Sequence, residues 1–401
     1  MQLNQPARVL SGMRPTGRLH LGHYHGVLKN WLNLQHEHQC FFFVADWHAL
    51  TTQYDAPEQI PQHTRDMLID WLAAGINPHE ATMFVQSQVP EHAELHLLLS
   101  MITPLGWLER VPSYKDQQQK LHEKDLTTYG FLGYPLLQSA DILLYRASFV
   151  PVGEDQVAHV ELTREVARRF NHIYGRDDDF ASKAEQAIRK LGRKNAGLYR
   201  HYRKAYQEQG DTEALSTAQA LLNHQQHLSL TERERLLGYL EGGGKLILPE
   251  PQPLLTRAPK MPGLDGQKMS KSYANTISLD ATPDTVSQKI RTMPTDPARV
   301  RRHDPGDPQQ CPVWPFHEIY SDAATCDWVQ QGCRSAGIGC VECKQPIIDA
   351  MVQELAPIQA RAAEYTAQPE LIQNILHDGC QRAREVAHET MADVRHAMAL
   401  S

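Results

Sequence analysis

The chain lacks any apolar run approaching the roughly 18 residues of a membrane-spanning helix. Its opening residues, Met1-Gln2-Leu3-Asn4-Gln5-Pro6, carry neither the charged nor the apolar region of a signal peptide. The expectation is a cytoplasmic protein with no membrane partner. It also lacks an excess of positive charge. Forty Lys and Arg face 47 Asp and Glu, a formal net charge of −7, which excludes a generally basic nucleic-acid binder but not a local basic surface. Cysteine is almost absent from the first three quarters: of seven, only Cys40 precedes Cys311. Cytosolic thiols stay reduced, so the five between Cys311 and Cys343 suggest metal rather than disulfides. With 401 residues there is length for two or three domains and a sizeable core.

What is present centres on Ser11-Gly12-Met13-Arg14-Pro15-Thr16-Gly17-Arg18-Leu19-His20-Leu21-Gly22-His23-Tyr24. Arg8-Val9-Leu10 before it reads as a buried strand, and the apolar spacing from Val27 to Leu34 reads as a helix. Gly12, Gly17 and Gly22 would let a bulky ligand approach the backbone. The free N–H groups of the first helical turn suit a polyphosphate. His20 and His23, three apart, share one face of that turn and could donate to phosphate oxygens that gain charge in a transition state. Far downstream stands Lys268-Met269-Ser270-Lys271-Ser272 after a Gly- and Pro-rich approach, Pro262 to Gly266. Two compact cations and two hydroxyls on a loop suit a leaving pyrophosphate.

These two stretches resemble the HIGH and KMSKS motifs of class I aminoacyl-tRNA synthetases, and the rest of the first 175 residues resembles the tryptophan-specific members. Between the motifs the chain alternates. Cys40 to Asp46 and Ala81 to Ser87 are apolar runs of strand length, and Pro57 to Gly75 reads as a helix with Pro in its first turn and Gly at its cap. The fold class is therefore α/β: a doubly wound, parallel-sheet, Rossmann-like catalytic domain with a C-terminal all-helical domain. His92 and His96 lie four apart without a third ligand at motif spacing, and read as part of a surface helix. Leu105 to Arg110 and Ser113-Tyr114-Lys115 resemble the family's segment before the amino-acid pocket.

Tyr134 to Tyr145 reads as an apolar helix carrying Gln138 and Asp141 on one side. A buried carboxylate needs a partner; it is either a structural hydrogen bond or an acceptor for a polar hydrogen such as an indole N–H. A site of the second kind rejects a phenylalanine-like side chain. Gln138 stands where many bacterial relatives carry methionine, and tyrosine-specific relatives share the Tyr-x-x-x-Gln-x-x-Asp arrangement. Phe149 to Gln156 reads as a strand, a turn and the start of a helix through Phe170. Its wording, Pro-Val-Gly-Glu-Asp-Gln followed by His159 to Arg164, is nearly that of the tryptophan-specific family.

From Asp177 to Gly244 the chain looks longer than a compact bacterial member. Between Lys183 and Lys204 eight Lys or Arg face one acid, Glu185, with Tyr199 and Tyr202 interleaved. This is either a solvated helical face or a contact for a phosphate backbone. Gly242-Gly243-Gly244 reads as a flexible joint, and Lys245 to Leu248 as a possible strand. Thr282 to Met293 reads as a helix, Asp296 to Pro312 as a polar loop, and Pro346 onward as about three bundled helices. Cys311, Cys333, Cys340 and Cys343 could hold zinc or a [4Fe–4S] cluster. Gly332 to Lys344 resembles the iron–sulfur motif of some bacterial members, which favours the cluster, with zinc as runner-up and Cys326 as a spare thiol.

The resemblance implies four segments: 1–176 catalytic, 177–244 a helical insertion, 245–281 the catalytic return with KMSKS, and 282–401 a helical anticodon-binding domain. It implies activation of L-tryptophan with ATP and Mg²⁺, transfer to tRNA(Trp), and a homodimer. The catalytic residues would be His20, His23, Lys268 and Lys271. ATP would meet Arg14, Pro15, Thr16, Gly22, His23, Gly153, Glu154, Asp155, Met261, Lys268, Met269, Ser270, Lys271 and Ser272. Tryptophan would meet Leu10, Gly12, Tyr134, Gln138, Asp141, Val150, Val152 and Gln156. Arg14 replaces a common glutamine and Gln117 a frequent lysine, whose work could pass to Lys115 or Lys120. Tyrosine as substrate and a non-catalytic RNA-binding regulator are the alternatives.

Overall fold

The computed structural model describes residues 7–111, 128–175, 179–225, 227–240, 246–255 and 261–400. The segment Ser113 to Lys115, Gln117, Lys120, the glycine joint at 242–244, Lys245 and the side chains of Asp155 and Ser272 lie outside the described residues.

Five strands form one sheet in the order β3-β2-β1-β4-β5: β1 (Arg8–Met13), β2 (Gln39–Val44), β3 (Ala81–Val85), β4 (Phe149–Val152) and β5 (Gln252–Leu255). β2 runs parallel to β3 from Cys40 opposite Ala81 to Val44 opposite Val85. β1 runs parallel to β4 with Val9 opposite Phe149. The near-continuous apolar run of β2 is buried from Cys40 to Val44, as expected of a strand covered on both faces.

The chain divides into two compact units. One comprises Ser11–Gln86 and Leu255–Cys380 with the first residues; the other comprises Ala7–Leu10, Ser87–Leu254 and Gln381–Ser401. In the first, a single turn, α1 (Leu21–His23), widens into a π-helix over Tyr24–Leu28 and continues as α2 (Lys29–Glu37). α3 (Asp46–Gln53) follows β2, and α4 (Ile60–Ala74) ends at Gly75, whose φ of 116° requires glycine. Trp31 stacks on Phe42 with centroids 4.1 Å apart and meets Trp71 edge-on, anchoring α2 and α4 to β2.

The second unit carries α5 (Glu91–Ser100), α6 (Leu105–Glu109), α7 (Tyr129–Leu144) and α8 (Val157–Tyr174). α7 packs against both α5 and α8. Then come α9 (Phe180–Lys190), α10 (Gly192–Gln209), α11 (Thr212–Asn223) and α12 (Leu230–Leu240). These four have their own core, from Ala187 and Ile188 through Tyr199 and Leu222 to Leu236 and Leu240. The insertion is thus a helical subassembly, which its periodic apolar residues foreshadow.

Leu246 to Leu248 is not a strand, contrary to expectation. Asn171 of α8 captures it instead: Oδ1 accepts from the N–H groups of Ile247 and Leu248 at 2.9 and 3.0 Å, and Nδ2 donates to the Leu248 carbonyl at 2.7 Å. Those groups cannot then join a ladder.

In the first unit α13 (Pro283–Thr292) starts at the Thr282 cap, as the sequence indicates. α14 (Trp314–Tyr320), α15 (Ala323–Arg334) and α16 (Cys340–Thr366) follow, and α17 (Pro369–Ala397), whose residues from Gln381 on are counted with the second unit, completes the chain. Beyond Pro346 there are two long helices rather than three. Pro346 and Pro357 lie inside α16, and Gly379 inside α17 is a close-approach site, because a Cβ there would collide with the Met83 carbonyl. None of the three ends a helix.

Candidate active site

In the first unit the HIGH-type turn is held by its own imidazoles. His20 caps α1 in an extended conformation, with Nδ1 accepting from the Gly22 N–H at 3.1 Å. His23 Nδ1 accepts from the His20 N–H at 3.3 Å, and the rings lie 3.8 Å apart. With both Nδ1 atoms accepting, each neutral ring carries its proton on Nε2. Burial, followed by the charge of Lys271, pushes His20 down to about 4. Burial, then His20, Lys271 and Lys268, push His23 down to about 3. At neutral pH the pair is therefore two uncharged N–H donors.

Backbone bonds stitch this turn to the segment after KMSKS. Leu21 N–H donates to the Ile277 carbonyl and Leu279 N–H to the Leu19 carbonyl, both at 2.9 Å, around an antiparallel bridge between His20 and Ser278. Lys271 Nζ donates to the Thr16 carbonyl at 2.9 Å. Lys268 is exposed, Met269 buried and Ser270 half-buried, and the Ser270 N–H donates to Asn275 Oδ1 at 2.8 Å. Asn275 Nδ2 donates in turn to Asp265 Oδ1 at 2.7 Å, setting the loop's approach. Met261 is buried, its carbonyl accepting from Met269 N–H at 3.2 Å. Arg14 is exposed, Pro15 buried and Thr16 half-buried.

Two supports escaped the sequence reading. Arg18 reaches Asp70 at 3.2 Å, Asp66 at 3.5 Å and Asp280 at 3.7 Å. Buried Asp70 also accepts from the Leu19 N–H at 2.9 Å, one residue before His20. Burial pushes Asp70 up to about 6, against the pull of that bond and of Arg18. A carboxylate inside Met67-Leu68-Ile69-Asp70-Trp71-Leu72 was the available signal. Gly12 is exposed and also lies against Phe43. A Cβ there would strike the Phe43 ring, so the close packing of β1 on Phe43 requires glycine. At Gly22 a Cβ would meet the His20 imidazole at 2.9 Å, so that glycine preserves the cap.

In the second unit Leu10, Val150 and Val152 are buried on their strands, and Gly153 and Glu154 are exposed at the turn that leads to Gln156 and α8. Tyr134 is buried beside Phe131. Gln138 Oε1 lies 2.6 Å from His159 Nδ1 on α8. Asp141, buried, has Oδ1 2.6 Å from His92 Nδ1 on α5, and His92 Nε2 lies 2.8 Å from the Tyr145 hydroxyl. His92 is thus fully buried, not part of a surface face. An apolar run rich enough to bury Asp141 had to supply it with a polar neighbour, and α5 does so.

The basic stretch of the insertion is largely self-satisfied. Lys190 pairs with Glu232 at 2.5 Å and Arg200 with Glu185 at 2.7 Å. Arg203 lies over the Tyr239 ring. Tyr199 is buried with its hydroxyl donating to the Leu236 carbonyl at 2.5 Å, which removes it as a stacking platform.

Cys311, Cys333, Cys340 and Cys343 all lie in the first unit, near enough for their charges to act on one another. Burial first, then the charges of Cys311, Cys333 and Cys340, push Cys343 up to about 12. Burial also raises Cys333, against the pull of Arg299. Arg299 Nη1 points at Cys333 Sγ at 3.8 Å and His317 Nε2 lies 3.3 Å from Cys343 Sγ. Lys344, buried, donates to the carbonyls of Arg291 and Met293 at 2.9 and 2.7 Å. Cys326 donates instead to the backbone oxygens of His317 and Ser321. Among the described residues no group of three or more His, Cys, Asp or Glu could hold a metal ion.

The sequence profile described as tRNA synthetases class I (W and Y) matches residues 1–194 and 225–356. The chain is 66% identical over 396 residues to the tryptophan–tRNA ligase of Ralstonia nicotianae, covering 99% of each chain. It is 44% identical over 395 residues to that of Thermotoga maritima, covering 98% of this chain and 99% of the other. Its fold matches the Campylobacter jejuni tryptophanyl-tRNA synthetase complexed with ADP and tryptophan with a TM-score of 0.72 at 27% identity, over 98% of this chain and all of the other. With both signature turns assembled and matches running end to end, the chain belongs to the tryptophan–tRNA ligases, within the class I tRNA synthetases.

Proposed function

We infer that the protein activates L-tryptophan with ATP and transfers it to tRNA(Trp). The observation that carries this is the stitched turn: two neutral imidazole donors and Lys271 are held on one framework of backbone hydrogen bonds. ATP, with its Mg²⁺, spans that turn, its adenine near Gly22. The tryptophan carboxylate attacks the α-phosphorus in line and pyrophosphate leaves. No covalent work falls to the protein. Nε2–H of His20 and His23, with the ammonium groups of Lys268 and Lys271, stabilises the charge that develops on the phosphates. The 2′-hydroxyl of the tRNA acceptor end then takes the tryptophanyl group from its adenylate. Asp141 accepts the indole N–H in a pocket walled by Leu10, Val150 and Val152.

ATP–pyrophosphate exchange with tryptophan and tyrosine in parallel tests this reading. Exchange with tryptophan alone is expected. Exchange with tyrosine would overturn the amino-acid assignment, and none with either would bring the regulator forward.

The helices beyond residue 282 are assigned to anticodon binding, and the protein to a homodimer and to the cytoplasm. A monomer in sedimentation would contradict the homodimer.

The cysteines are assigned to a [4Fe–4S] cluster. A cubane or a single zinc held by four thiolates carries net negative charge. The buried cations Arg299 and Lys344, whose hydrogen bonds go to carbonyls and a thiol rather than to carboxylates, fit that charge. Iron and acid-labile sulfide in anaerobically purified protein are the expected result; one zinc and no iron would replace the assignment.

A further inference from the structure

Gln138 and Asp141 of α7 are each held by a histidine of a flanking helix. His159 of α8 holds Gln138 at 2.6 Å, and His92 of α5 holds Asp141 at 2.6 Å. His92 is 0% and Asp141 1% exposed, so the contact between them is buried. An ionised carboxylate can only accept, so Nδ1 is the donor in the second bond. The Tyr145 hydroxyl, which can donate or accept, closes the chain at His92 Nε2 over 2.8 Å. Tyr145 is itself buried, its carbonyl accepting from Arg8 Nη1 at 3.2 Å.

A free carboxylate swings about its χ2 torsion with little preference. One pinned at Oδ1 by a buried imidazole keeps a single orientation. That matters for a substrate read through a single N–H, because a selective site must leave no slack in its acceptor.

We propose that His92 is a positioning residue for amino-acid selection. By fixing the Asp141 carboxylate, with Tyr145 fixing His92 in turn, it makes recognition depend on the substrate's indole N–H. This rests on the assignment of Asp141 as acceptor of that N–H.

The test uses the full-length enzyme and compares kcat/KM in ATP–pyrophosphate exchange for tryptophan and for 3-(3-benzothienyl)alanine. That analogue has the shape of tryptophan with sulfur in place of the N–H. His92→Leu is expected to lower kcat/KM for tryptophan about 10- to 100-fold, mainly through KM. The analogue should change far less, so that the selectivity ratio collapses. His92→Gln, which retains a donor toward Asp141, should restore part of the ratio. Tyr145→Phe keeps the ring and the fold, and should move the ratio severalfold in the same direction if His92→Leu does not fold. Equal losses for the two substrates, or an unchanged ratio in Tyr145→Phe, would overturn the proposal and leave His92 a purely structural partner. Asp141→Asn separates the underlying assignment: if it leaves the ratio at the wild-type value, the indole reading fails whatever the His92 variants do.

Discussion

Lys271 Nζ donates to the Thr16 carbonyl at 2.9 Å, joining two loops 255 residues apart in sequence. The cation is thereby parked beside the imidazoles of the HIGH-type turn before any phosphate arrives. Its hydrogen bond to a neutral carbonyl is weak enough to exchange for a charged oxygen. Lys271→Ala should lower the rate of tryptophan-dependent exchange about 100- to 1000-fold, with little change in the tryptophan KM. Equal losses in rate and in tryptophan affinity would deny Lys271 its transition-state role.

The two imidazoles make stability depend on pH with a definite sign. His20 and His23 have folded values of about 4 and about 3 against an ordinary 6.5. Below 6.5 the unfolded chain takes up protons that the folded one refuses, so stability present above 6.5 is lost as pH falls toward 4 and below. Asp70 works the other way. Its folded value of about 6 exceeds the ordinary 3.8, so its contribution falls as pH rises from 3.8 to 6. Thermal melts between pH 7 and 4 should flatten in His23→Gln and steepen in Asp70→Asn. Parallel curves for all three proteins would contradict the assignment.

Asp70 also carries a local load. Asp70→Ala orphans the Leu19 N–H and removes the closest partner of Arg18. The expected cost is roughly 1–3 kcal/mol of stability. The ATP KM should rise because the backbone entering His20 loses its anchor. Urea titration and ATP-dependence of exchange would check the two halves separately.

Asn171 makes a comparable prediction in the second unit. Its amide satisfies three backbone groups of Ile247 and Leu248. Asn171→Ala should cost about 3 kcal/mol or more, since each buried orphan costs roughly 1–3 kcal/mol. Calorimetry would show it as a lowered Tm, and no change would mean that the segment finds other partners.

Around the cysteines, Cys326 should be dispensable and Cys333 not. Cys326→Ser is expected to keep the wild-type iron content and Cys333→Ser to lose it, by metal analysis of anaerobically prepared protein. Arg299→Met should weaken iron retention by removing a buried positive charge beside Cys333. Equal iron in all three variants would refute the ligand assignment.

The local elements of this protein were legible in its sequence because they rest on local physics. An apolar run of strand length at 40–44, a Gly-ended helix whose α-helical part runs over Ile60–Ala74 after a 3-10 turn at Pro57–Gln59, and a helix within 282–293 each follow from near-neighbour sterics and hydrogen bonding. His20 and His23 were legible too, since three-residue spacing on one turn places them together whatever surrounds them. What escaped were contacts made across long stretches of chain. Arg18 with Asp70, His92 with Asp141, Asn171 with Leu248 and Arg299 with Cys333 each join residues more than 30 apart. Asp141 showed that a partner was required; only packing of α5 against α7 decided that the partner was His92. The same holds for Gly12, whose contact with Phe43 of β2 no local pattern announces. Sequence periodicity states which groups must be buried, whereas the partner that compensates each buried charge is settled by which helix arrives beside it.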